Sequence, residues 1–360
     1  MQALLLAGGE GTRLRPLTYT TPKPVLPLAG RPFLSFMLDW VRSHGVEEVI
    51  LSCGFMSAAV RQVLGDAYSG MRLRYVIEQE PLGTAGPVRL ALDEGLLEER
   101  FLVLNGDVLT DINVTEELAA HERTGARVTL ALYPVEDTAS YGVVPTAPDG
   151  SVEAFLEKAQ AHGTSDVNAG AYVVEREVIE TAVPAGRAVS FEREVFPSLV
   201  GAGLYGWRGH GYWIDIGTPE RYLEATWDLL AGRVASTLPA RDETGSLVYE
   251  NCLLAGAHVG PQSVLGRHCS VGVDARVERS VLHERVHVGA DAKLLECVLG
   301  ERVRVGERAR VESRAIVGAG ARIGADATVG RGARLDPGAV VEPAGEVAAG
   351  ALVKAAEPIS

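Results

Sequence analysis

The sequence has few cysteines, few aromatic residues and no long apolar run. Its 360 residues include only four cysteines, and no two of them form a Cys-x-x-Cys pair. Neither a zinc site nor a disulfide framework is therefore indicated. No apolar stretch approaches the roughly 20 residues that span a bilayer, and the short run that follows Met1 lacks the basic flank of a signal peptide. We expect a cytoplasmic protein.

Basic residues are outnumbered by acidic ones. The chain has 34 Lys and Arg against 47 Asp and Glu, which gives a formal net charge of −13. Nucleic acids and anionic membranes bind proteins through positive patches, so we expect neither as a partner. Small phosphates are not excluded, because a few local donors can hold them.

The C-terminal part is repetitive. An aliphatic residue returns at every sixth position from Leu247 to Val277 and again from Leu299 to Val347, with an irregular stretch around His283 to Leu295. A small residue, often Ala, lies four positions after each aliphatic residue, and Gly often lies directly after the aliphatic residue. Each hexad predicts a short strand and a turn, and three hexads close one coil. The pattern resembles the hexapeptide repeats of left-handed parallel β-helices, here with five full coils and part of a sixth.

The N-terminal part alternates strand and helix signals, which indicates an α/β fold with a mainly parallel sheet. We predict strands at residues 2–7, 48–53, 73–77, 101–104 and 127–133, and helices at residues 32–44, 58–64, 85–95, 114–123 and 219–230. The predicted domains are residues 1–232 and, after a linker at 233–246, the β-helix at 247–353.

A glycine-rich turn, Gly-Gly-Glu-Gly-Thr-Arg-Leu at residues 8–14, directly follows the first predicted strand. Glycines let the backbone turn tightly and aim successive N–H groups at an anion. The turn lacks the Gly-Lys-Ser/Thr of a Walker A loop and the third glycine of a dinucleotide fingerprint. The planar guanidinium of Arg13 can donate paired hydrogen bonds to phosphate oxygens. Lys23, which lies between two prolines, offers these oxygens a point charge.

Five motifs in order resemble those of the sugar-1-phosphate nucleotidylyltransferases, with the mannose-1-phosphate guanylyltransferases as the most similar subgroup. They are residues 8–18 with Pro22-Lys23-Pro24, residues 80–86 (Glu-Pro-Leu-Gly-Thr-Ala-Gly), Asn105-Gly106-Asp107, Asn168-Ala169-Gly170, and residues 213–219 (Trp-Ile-Asp-Ile-Gly-Thr-Pro). The resemblance implies a Rossmann-like nucleotidyltransferase domain. It also implies an enzyme that transfers a nucleoside monophosphate from a nucleoside triphosphate to a sugar-1-phosphate and releases pyrophosphate.

The resemblance also assigns the candidate site residues. Those expected to bind the nucleotide are Leu6, Gly8, Gly9, Gly11, Thr12, Arg13, Glu78, Pro81, Gly83, Thr84 and Asp107; those expected to bind the sugar phosphate are Gly142, Glu157, Lys158 and Asn168. Arg13, Lys23 and Lys158 are the expected catalytic cations, and Asp107 and Asp215 the expected Mg²⁺ ligands. A proline usually follows the Glu-Lys pair in the family, whereas Ala159 stands there in this chain.

The chemistry of the reaction suits these residue types. A phosphate monoester has its second pKa at about 6, so the attacking oxygen is already anionic near neutral pH and needs no general base. Catalysis then consists of positioning and charge neutralisation.

The expected base is guanine. In the family, a Gln five residues before the Gly of the Leu-Gly-Thr turn commonly pairs with uracil or thymine, and this chain has Glu78 at that position. A carboxylate accepts from guanine N1–H and the 2-amino group, but is repelled by the carbonyl oxygens of uracil and thymine. Because Gln79 is adjacent, a glucose-1-phosphate thymidylyl-, uridylyl- or adenylyltransferase remains the alternative. The choice of mannose depends on the resemblance alone.

We expect the β-helix to form a homo-oligomer or to act as a regulatory module. A bifunctional enzyme with acyltransferase activity is the alternative, with His258, His268, His283 or His287 as candidate bases. A catalytically dead sensor is disfavoured because Arg13 and the other charged site residues are all present.

Overall fold

The computed structural model describes residues 1–157 and 164–355. Their packing forms two compact units that do not follow chain order. The first unit contains residues 1–10 and 34–214, and the second unit contains residues 11–33 together with the chain from Asp215 onward. The predicted domain boundaries at residues 232 and 247 divide the chain by sequence position, and they stay a prediction.

The first unit is built on a ten-stranded sheet. Its centre is four parallel strands, Met71–Ile77, Glu48–Cys53, Gln2–Leu6 and Arg100–Asn105 in spatial order. The remaining strands are Ala67–Tyr68, Val128–Pro134, Gly142–Val143, Leu156–Glu157, Asp166–Glu175 and Leu204–Arg208. Strands Gln2–Leu6, Glu48–Cys53 and Arg100–Asn105 contain buried apolar runs, as is typical of parallel strands that are covered on both faces, whereas buried and exposed residues are mixed in Met71–Ile77. A separate two-stranded sheet pairs Val108–Thr110 with Trp213–Asp215.

The helices of the first unit connect these strands. They are Phe33–Ser43, Ser57–Leu64, Gly86–Asp93, Val114–Thr124, Arg176–Ala182, a π-helix at Phe191–Val195 and Phe196–Leu199. Apolar residues of Gly86–Asp93, Arg176–Ala182, Phe191–Val195 and Phe196–Leu199 belong to the same buried cluster as Leu4, Ile50 and Val103 of the sheet. All predicted strands and helices are present, with ends shifted by one or two residues. No helix among the described residues is both long and apolar enough to cross a membrane.

The second unit contains a left-handed parallel β-helix with three sheets of seven, six and six strands. The first sheet has Leu247–Val248, Val264–Leu265, Val281–Leu282, Val298–Leu299, Ile316–Val317, Arg334–Leu335 and Leu352–Val353; the second has Leu253–Leu254, Ser270–Val271, His287–Val288, Arg304–Val305, Arg322–Ile323 and Val340–Val341; the third has His258–Val259, Arg276–Glu278, Lys293–Leu295, Arg310–Val311, Thr328–Val329 and Glu346–Val347. The predicted β-helix is confirmed, but it has six full coils and one strand of a seventh, rather than five coils and part of a sixth.

The register predicted for the first two hexads is wrong. Leu247 pairs with Val264 and Leu253 pairs with Ser270, so both side chains point outward. Leu253 is 71% exposed. The next residues, Val248 and Leu254, occupy the inward register. Two adjacent aliphatic residues made the register ambiguous by one position, and a shift of one residue moves a side chain to the other face.

The stretch predicted to be irregular is also regular coil. Strands Val281–Leu282, His287–Val288 and Lys293–Leu295 fall within it. The apparent break arises because early coils are 17 residues long, as shown by the Arg279–Glu296 pair, whereas later ones are 18 residues long, as shown by the Arg308–Asp326 pair. One side of the shorter coils has five residues instead of six, so a strict hexad count loses register.

Small residues are required at the coil corners. The alanines four positions after the inward aliphatic residues are fully buried, as are Cys269 and Cys297 at equivalent places. Gly306, directly after inward Val305, has no room for a side chain, because a Cβ there would lie 2.5 Å from the backbone nitrogen of Ala325 in the next coil. Spacing between coils therefore selects these residues.

One sheet of the coil is covered on its outer face. Its outward residues form a row that we call the apolar row, Val264, Val281, Val298 and Ile316, each about 1% exposed or less. Helix Pro219–Leu230 and residues 11–33 lie on this side. Trp227 Nε1 donates to the Arg279 carbonyl oxygen (3.1 Å), and Tyr249 Oη donates to the Ala29 carbonyl oxygen (2.8 Å). Helix Pro219–Leu230 starts as predicted, with Thr218 Oγ1 accepting from Arg221 N.

The corner geometry gives a stability prediction. Gly306→Ala should lower the free energy of unfolding by about 1–3 kcal/mol, because the added methyl group overpacks the space between coils. Gly332→Asn is the matched control, since Gly332 has a φ of +68° with nothing within 4 Å of its Cβ position and Asn tolerates that conformation. Thermal unfolding monitored by circular dichroism measures both. Equal shifts of the unfolding midpoint would contradict the proposed role of the coil spacing.

Candidate active site

The carboxyl ends of the four central parallel strands meet at one edge of the first unit's sheet. Gly8, Glu78 and Asp107 each come within two residues of the end of such a strand. Ligands of open α/β sheets bind at this edge. The structure therefore places Gly8, Glu78 and Asp107, three of the predicted site residues, at the same edge of the sheet.

Two glycines at this edge allow close packing. A Cβ on Gly8 would lie 2.6 Å from Glu78 Oε1, and a Cβ on Gly106 would lie 2.5 Å from the carbonyl oxygen of Leu6. Gly9, in contrast, has nothing within 4 Å of its Cβ position. The Gly8 backbone and the Glu78 carboxylate are thus neighbours only because Gly8 has no side chain, whereas Gly9 leaves open space for a ligand.

The Glu78 carboxylate is held in place by the protein. Ser52 Oγ donates to Oε1 (2.6 Å) and Leu82 N donates to Oε2 (3.2 Å). Burial, and then the charge of Glu78, raise the pKa of the neighbouring Cys53 thiol to about 12, so Cys53 is no thiolate nucleophile. A carboxylate has about four lone-pair positions, so Glu78 keeps acceptor capacity for a ligand.

The Gly83-Thr84 turn packs on a segment that sequence reasoning missed. A Cβ on Gly83, whose φ is +76°, would lie 2.5 Å from the Val189 carbonyl oxygen. Thr84 Oγ1 donates to Glu192 Oε2 (2.6 Å), which also accepts from Ser190 Oγ (2.7 Å). Glu192 lies in the π-helix, an element often found at functional sites. No local sequence pattern predicts this contact, because Thr84 and Glu192 are 108 residues apart in the chain.

Asn168 is positioned by a bulge in strand Asp166–Glu175, where the register shifts between Asn168 and Tyr172. Asn168 Oδ1 accepts from Gly170 N (3.0 Å), and Nδ2 donates to Tyr172 Oη (2.8 Å). Burial, together with the charges of Glu192 and Asp107, raises the pKa of Tyr172 well above its usual range. Tyr172 therefore stays a neutral hydroxyl that fixes the Asn168 amide.

The other sugar-side candidates are partly described. Gly142 pairs with Glu157 in an antiparallel ladder, which places the backbones of both residues side by side. Lys158 lies outside the described residues. Pro81 lies in the loop between Glu78 and Gly83.

The cationic candidates belong to the second unit. Thr12 and Arg13 form a 3₁₀ turn that starts at Gly11, which has a φ of +62°. Thr18 Oγ1 donates to the Gly11 carbonyl oxygen (2.8 Å). Lys23 is only 9% exposed, and its Cβ lies 3.1 Å from where a Gly11 Cβ would be. A side chain at Gly11 would both strain the backbone and displace Lys23.

Arg13 and Asp215 come together at Gly217. A Cβ on Gly217 would lie 2.6 Å from Arg13 Nη2 and 3.0 Å from Asp215 Oδ1. The turn Asp-Ile-Gly-Thr-Pro thus accommodates both charged groups, because the glycine leaves space for the guanidinium beside the carboxylate.

The two aspartates fit the donor preference of a nucleotide-bound Mg²⁺. That ion takes one or two carboxylates and completes its octahedron with water and phosphate oxygens. Asp107 and Asp215 each follow or end a strand, and Asp215 Oδ1 is buried. Within residues 1–157 and 164–355, no group of three or more His, Cys, Asp or Glu could hold a metal ion by protein ligands alone.

The histidines of the coil do not form an exposed acceptor-binding loop. His283 is buried, its Nε2 lies 3.2 Å from Tyr222 Oη, and burial lowers its pKa to about 4. His287 Nδ1 lies 2.6 Å from Ser270 Oγ on the neighbouring strand. The strands from Leu247 to Val353 follow one another without an inserted loop, which weakens the acyltransferase alternative.

The first unit, a mainly parallel sheet with a glycine turn at its carboxyl edge, has the architecture of a nucleotide-binding domain. Residues 2–232 match the family described as nucleotidyl transferase, and residues 250–326 match the family described as the GMPPB C-terminal domain. The chain belongs to the nucleotidyl transferase family, whose members generally use a divalent metal.

Curated relatives agree with this assignment. The chain is 40% identical to a mannose-1-phosphate guanylyltransferase of Mycobacterium tuberculosis over 77% of this chain and 78% of that protein. It is 34% identical to mannose-1-phosphate guanylyltransferase 1 of Arabidopsis thaliana over 77% and 76% of the two chains. Crystal structures of HddC from Yersinia pseudotuberculosis are also similar. One of them, complexed with GMP-PN, has a TM-score of 0.53 and 28% identity and covers 62% of this chain and 97% of that one.

The geometry at Gly217 gives a test of the Arg13 position. In Gly217→Ala, the far end of the flexible Arg13 side chain would move, so the fold should be retained while nucleotidyl transfer falls by about tenfold or more. The measurements are the thermal unfolding midpoint and the rate of pyrophosphate release. Unchanged turnover in a stably folded variant would show that the Arg13 guanidinium is not needed where the structure places it.

Proposed function

We propose that the protein transfers GMP from GTP to mannose-1-phosphate and produces GDP-mannose and pyrophosphate. The observation that carries the choice of guanine is the Glu78 carboxylate, which is fixed by Ser52 and Leu82 beside Gly8 at the carboxyl edge of the sheet. The names of the relatives from Mycobacterium tuberculosis and Arabidopsis thaliana support mannose-1-phosphate as the acceptor.

The reaction is an in-line substitution at the α-phosphorus. An oxygen of the sugar-1-phosphate forms the new P–O bond, and the bond between the α-phosphorus and the bridging oxygen breaks with its electron pair leaving on pyrophosphate. In the proposal, Leu6, Gly8, Gly9, Gly11 and Thr12 provide the backbone cradle of the triphosphate. Arg13 and Lys23 neutralise the charge that develops on it.

The sugar phosphate is assigned to the residues around the bulge. Asn168, fixed by Gly170 and Tyr172, is proposed to bond a sugar hydroxyl. The paired backbones of Gly142 and Glu157 are proposed to lie along the sugar, with Glu157 accepting from its hydroxyls. Lys158 is proposed to bind the incoming phosphate.

Mg²⁺ is the proposed metal, with Asp107 and Asp215 as its protein ligands. When bound, a divalent cation withdraws charge from the α-phosphate and orients the triphosphate. The protein contributes the two carboxylates. The positive charge of Arg13, which lies beside Asp215, partly offsets their negative charge.

For the coil, we propose that copies of the chain associate through its exposed faces, where apolar Leu253 and Val340 are uncovered.

The base preference is the first test. GTP should exceed UTP and dTTP in kcat/KM by about 30- to 800-fold, since a carboxylate left without donors against a bound base costs roughly 2–4 kcal/mol. Glu78→Gln should reduce that preference, because an amide both donates and accepts, while it keeps the size needed to contact Ser52 and Leu82. ATP should be poor with either enzyme, because adenine N1 is an acceptor.

The assay measures kcat/KM for the four triphosphates with mannose-1-phosphate. Gln79→Ala is the matched control, and it should leave the preference for GTP intact. A wild-type enzyme that prefers dTTP or UTP, or a Gln79→Ala variant that loses the preference for GTP, would contradict the assignment to Glu78.

The metal ligands are the second test. Asp107→Asn and Asp215→Asn should each lower kcat by about 100-fold or more and raise the Mg²⁺ concentration needed for half-maximal rate. Asp149→Asn, in an exposed turn where Asp149 accepts from Ser151, is the control and should have no effect. Pyrophosphate release against Mg²⁺ concentration measures all three, and near-normal curves for both site variants would refute the assignment.

A further inference from the structure

Arg334 lies at a break in the apolar row of the coil. The outward position of the row's sheet is Val264, Val281, Val298 and Ile316 on four successive coils, and the next coil has Arg334, whose strand pairs directly with Ile316. A cation at the end of an otherwise apolar, covered row requires a specific partner, because a half-buried charge is costly without one.

Arg334 bonds to the backbone of the 3₁₀ turn Thr12–Leu14, which carries Arg13, and of the residue that follows this turn. Its Nη1 donates to the Arg15 carbonyl oxygen (3.0 Å) and, more weakly, to the Arg13 carbonyl oxygen (3.3 Å). These carbonyls lie at the end of the 3₁₀ turn Thr12–Leu14, where carbonyl groups lack partners within the turn. A guanidinium with fixed donors is well suited to cap two of them at once.

We propose that Arg334 is a positioning residue for nucleotidyl transfer: it caps the turn that carries Arg13 and so fixes the origin of the Arg13 side chain. The proposal rests on the proposed function only for the role of Arg13. The other end of the turn is held by Thr18, through the Gly11 carbonyl oxygen, so the cap by Arg334 completes a two-point attachment. Misplacement of a phosphate-binding group by about 1 Å costs up to roughly 100-fold in rate.

The contact itself is tested without catalysis. Hydrogen exchange of the Leu14 and Arg15 amides, which bond to Gly11 and Thr12 within the turn, should be about tenfold faster in Arg334→Ala than in the wild type. Arg322→Ala is the matched control, because Arg322 has the same position in its strand on another sheet and is exposed. Unchanged exchange in a folded Arg334→Ala protein would overturn the proposal.

The role in transfer is tested by coupling. Arg334→Ala should lower kcat by about 10- to 100-fold with GTP and mannose-1-phosphate, and Arg334→Lys should recover part of the loss, since an ammonium reaches one carbonyl at a time. In an Arg13→Ala background, the same substitution should have an effect of only about twofold, because contacting residues are non-additive. An equal loss in both backgrounds would indicate general destabilisation and overturn the proposal.

The two failures are distinguishable. A wild-type protein that transfers no nucleotide, but shows the exchange difference between Arg334→Ala and Arg322→Ala, would refute the proposed function and retain the cap. An active wild type whose exchange and kcat are both unaffected by Arg334→Ala would refute the cap and retain the function.

Discussion

The burial of the apolar row is the interaction on which the second unit depends. Residues 11–33 contain only short 3₁₀ turns and a two-stranded hairpin of Pro27–Leu28 with Arg31–Pro32, too little regular structure to hold a fixed shape alone. Val264, Val281, Val298 and Ile316 are outward residues of a coil, and without a covering segment each would leave a side chain in water whose burial is worth about 1.5–3 kcal/mol. Covering this row orders the segment that carries Arg13 and Lys23.

Polar contacts then specify where the ordered segment lies. Tyr249 bonds the carbonyl oxygen of Ala29, where Gly30 leaves space for the tyrosine ring. Tyr222, from helix Pro219–Leu230, donates its hydroxyl to the carbonyl oxygen of Pro27. Apolar burial is non-directional, so these directed contacts fix the register of a loop that hydrophobic contact alone would leave free to slide. A reaction that depends on positioned cations and no general base needs that precision.

The local elements could be predicted from sequence because their causes are local. The strand ends follow from hydrophobic periodicity, and the start of helix Pro219–Leu230 follows from the capping preference of Thr218. The alanines at the coil corners follow from the small volume available there. The inward register was not fully predictable, because Leu247-Val248 and Leu253-Leu254 are aliphatic pairs in which either residue could point inward, and a strict hexad count placed Leu247 and Leu253 on the wrong face. The apparent break has a different cause, since the five-residue sides of the early coils interrupt that count.

The long-range contacts had no sequence signal. Arg334 and Arg13 are 321 residues apart, and Thr84 and Glu192 are 108 residues apart. The local sequence around one residue of each pair does not predict that it contacts the other.

In the proposed reaction, recognition and charge neutralisation fall to residues of different units. Glu78, Asn168 and the Gly142–Glu157 pair, which are the candidates for reading the base and the sugar, are built on the sheet of the first unit, whereas Arg13 and Lys23 are held by the unit that contains the coil. The phosphates are common to all substrates of such a reaction, while base and sugar differ. In the proposed reaction, changes at the sheet edge alter selectivity, whereas the coil influences the rate through the turn that Arg334 holds.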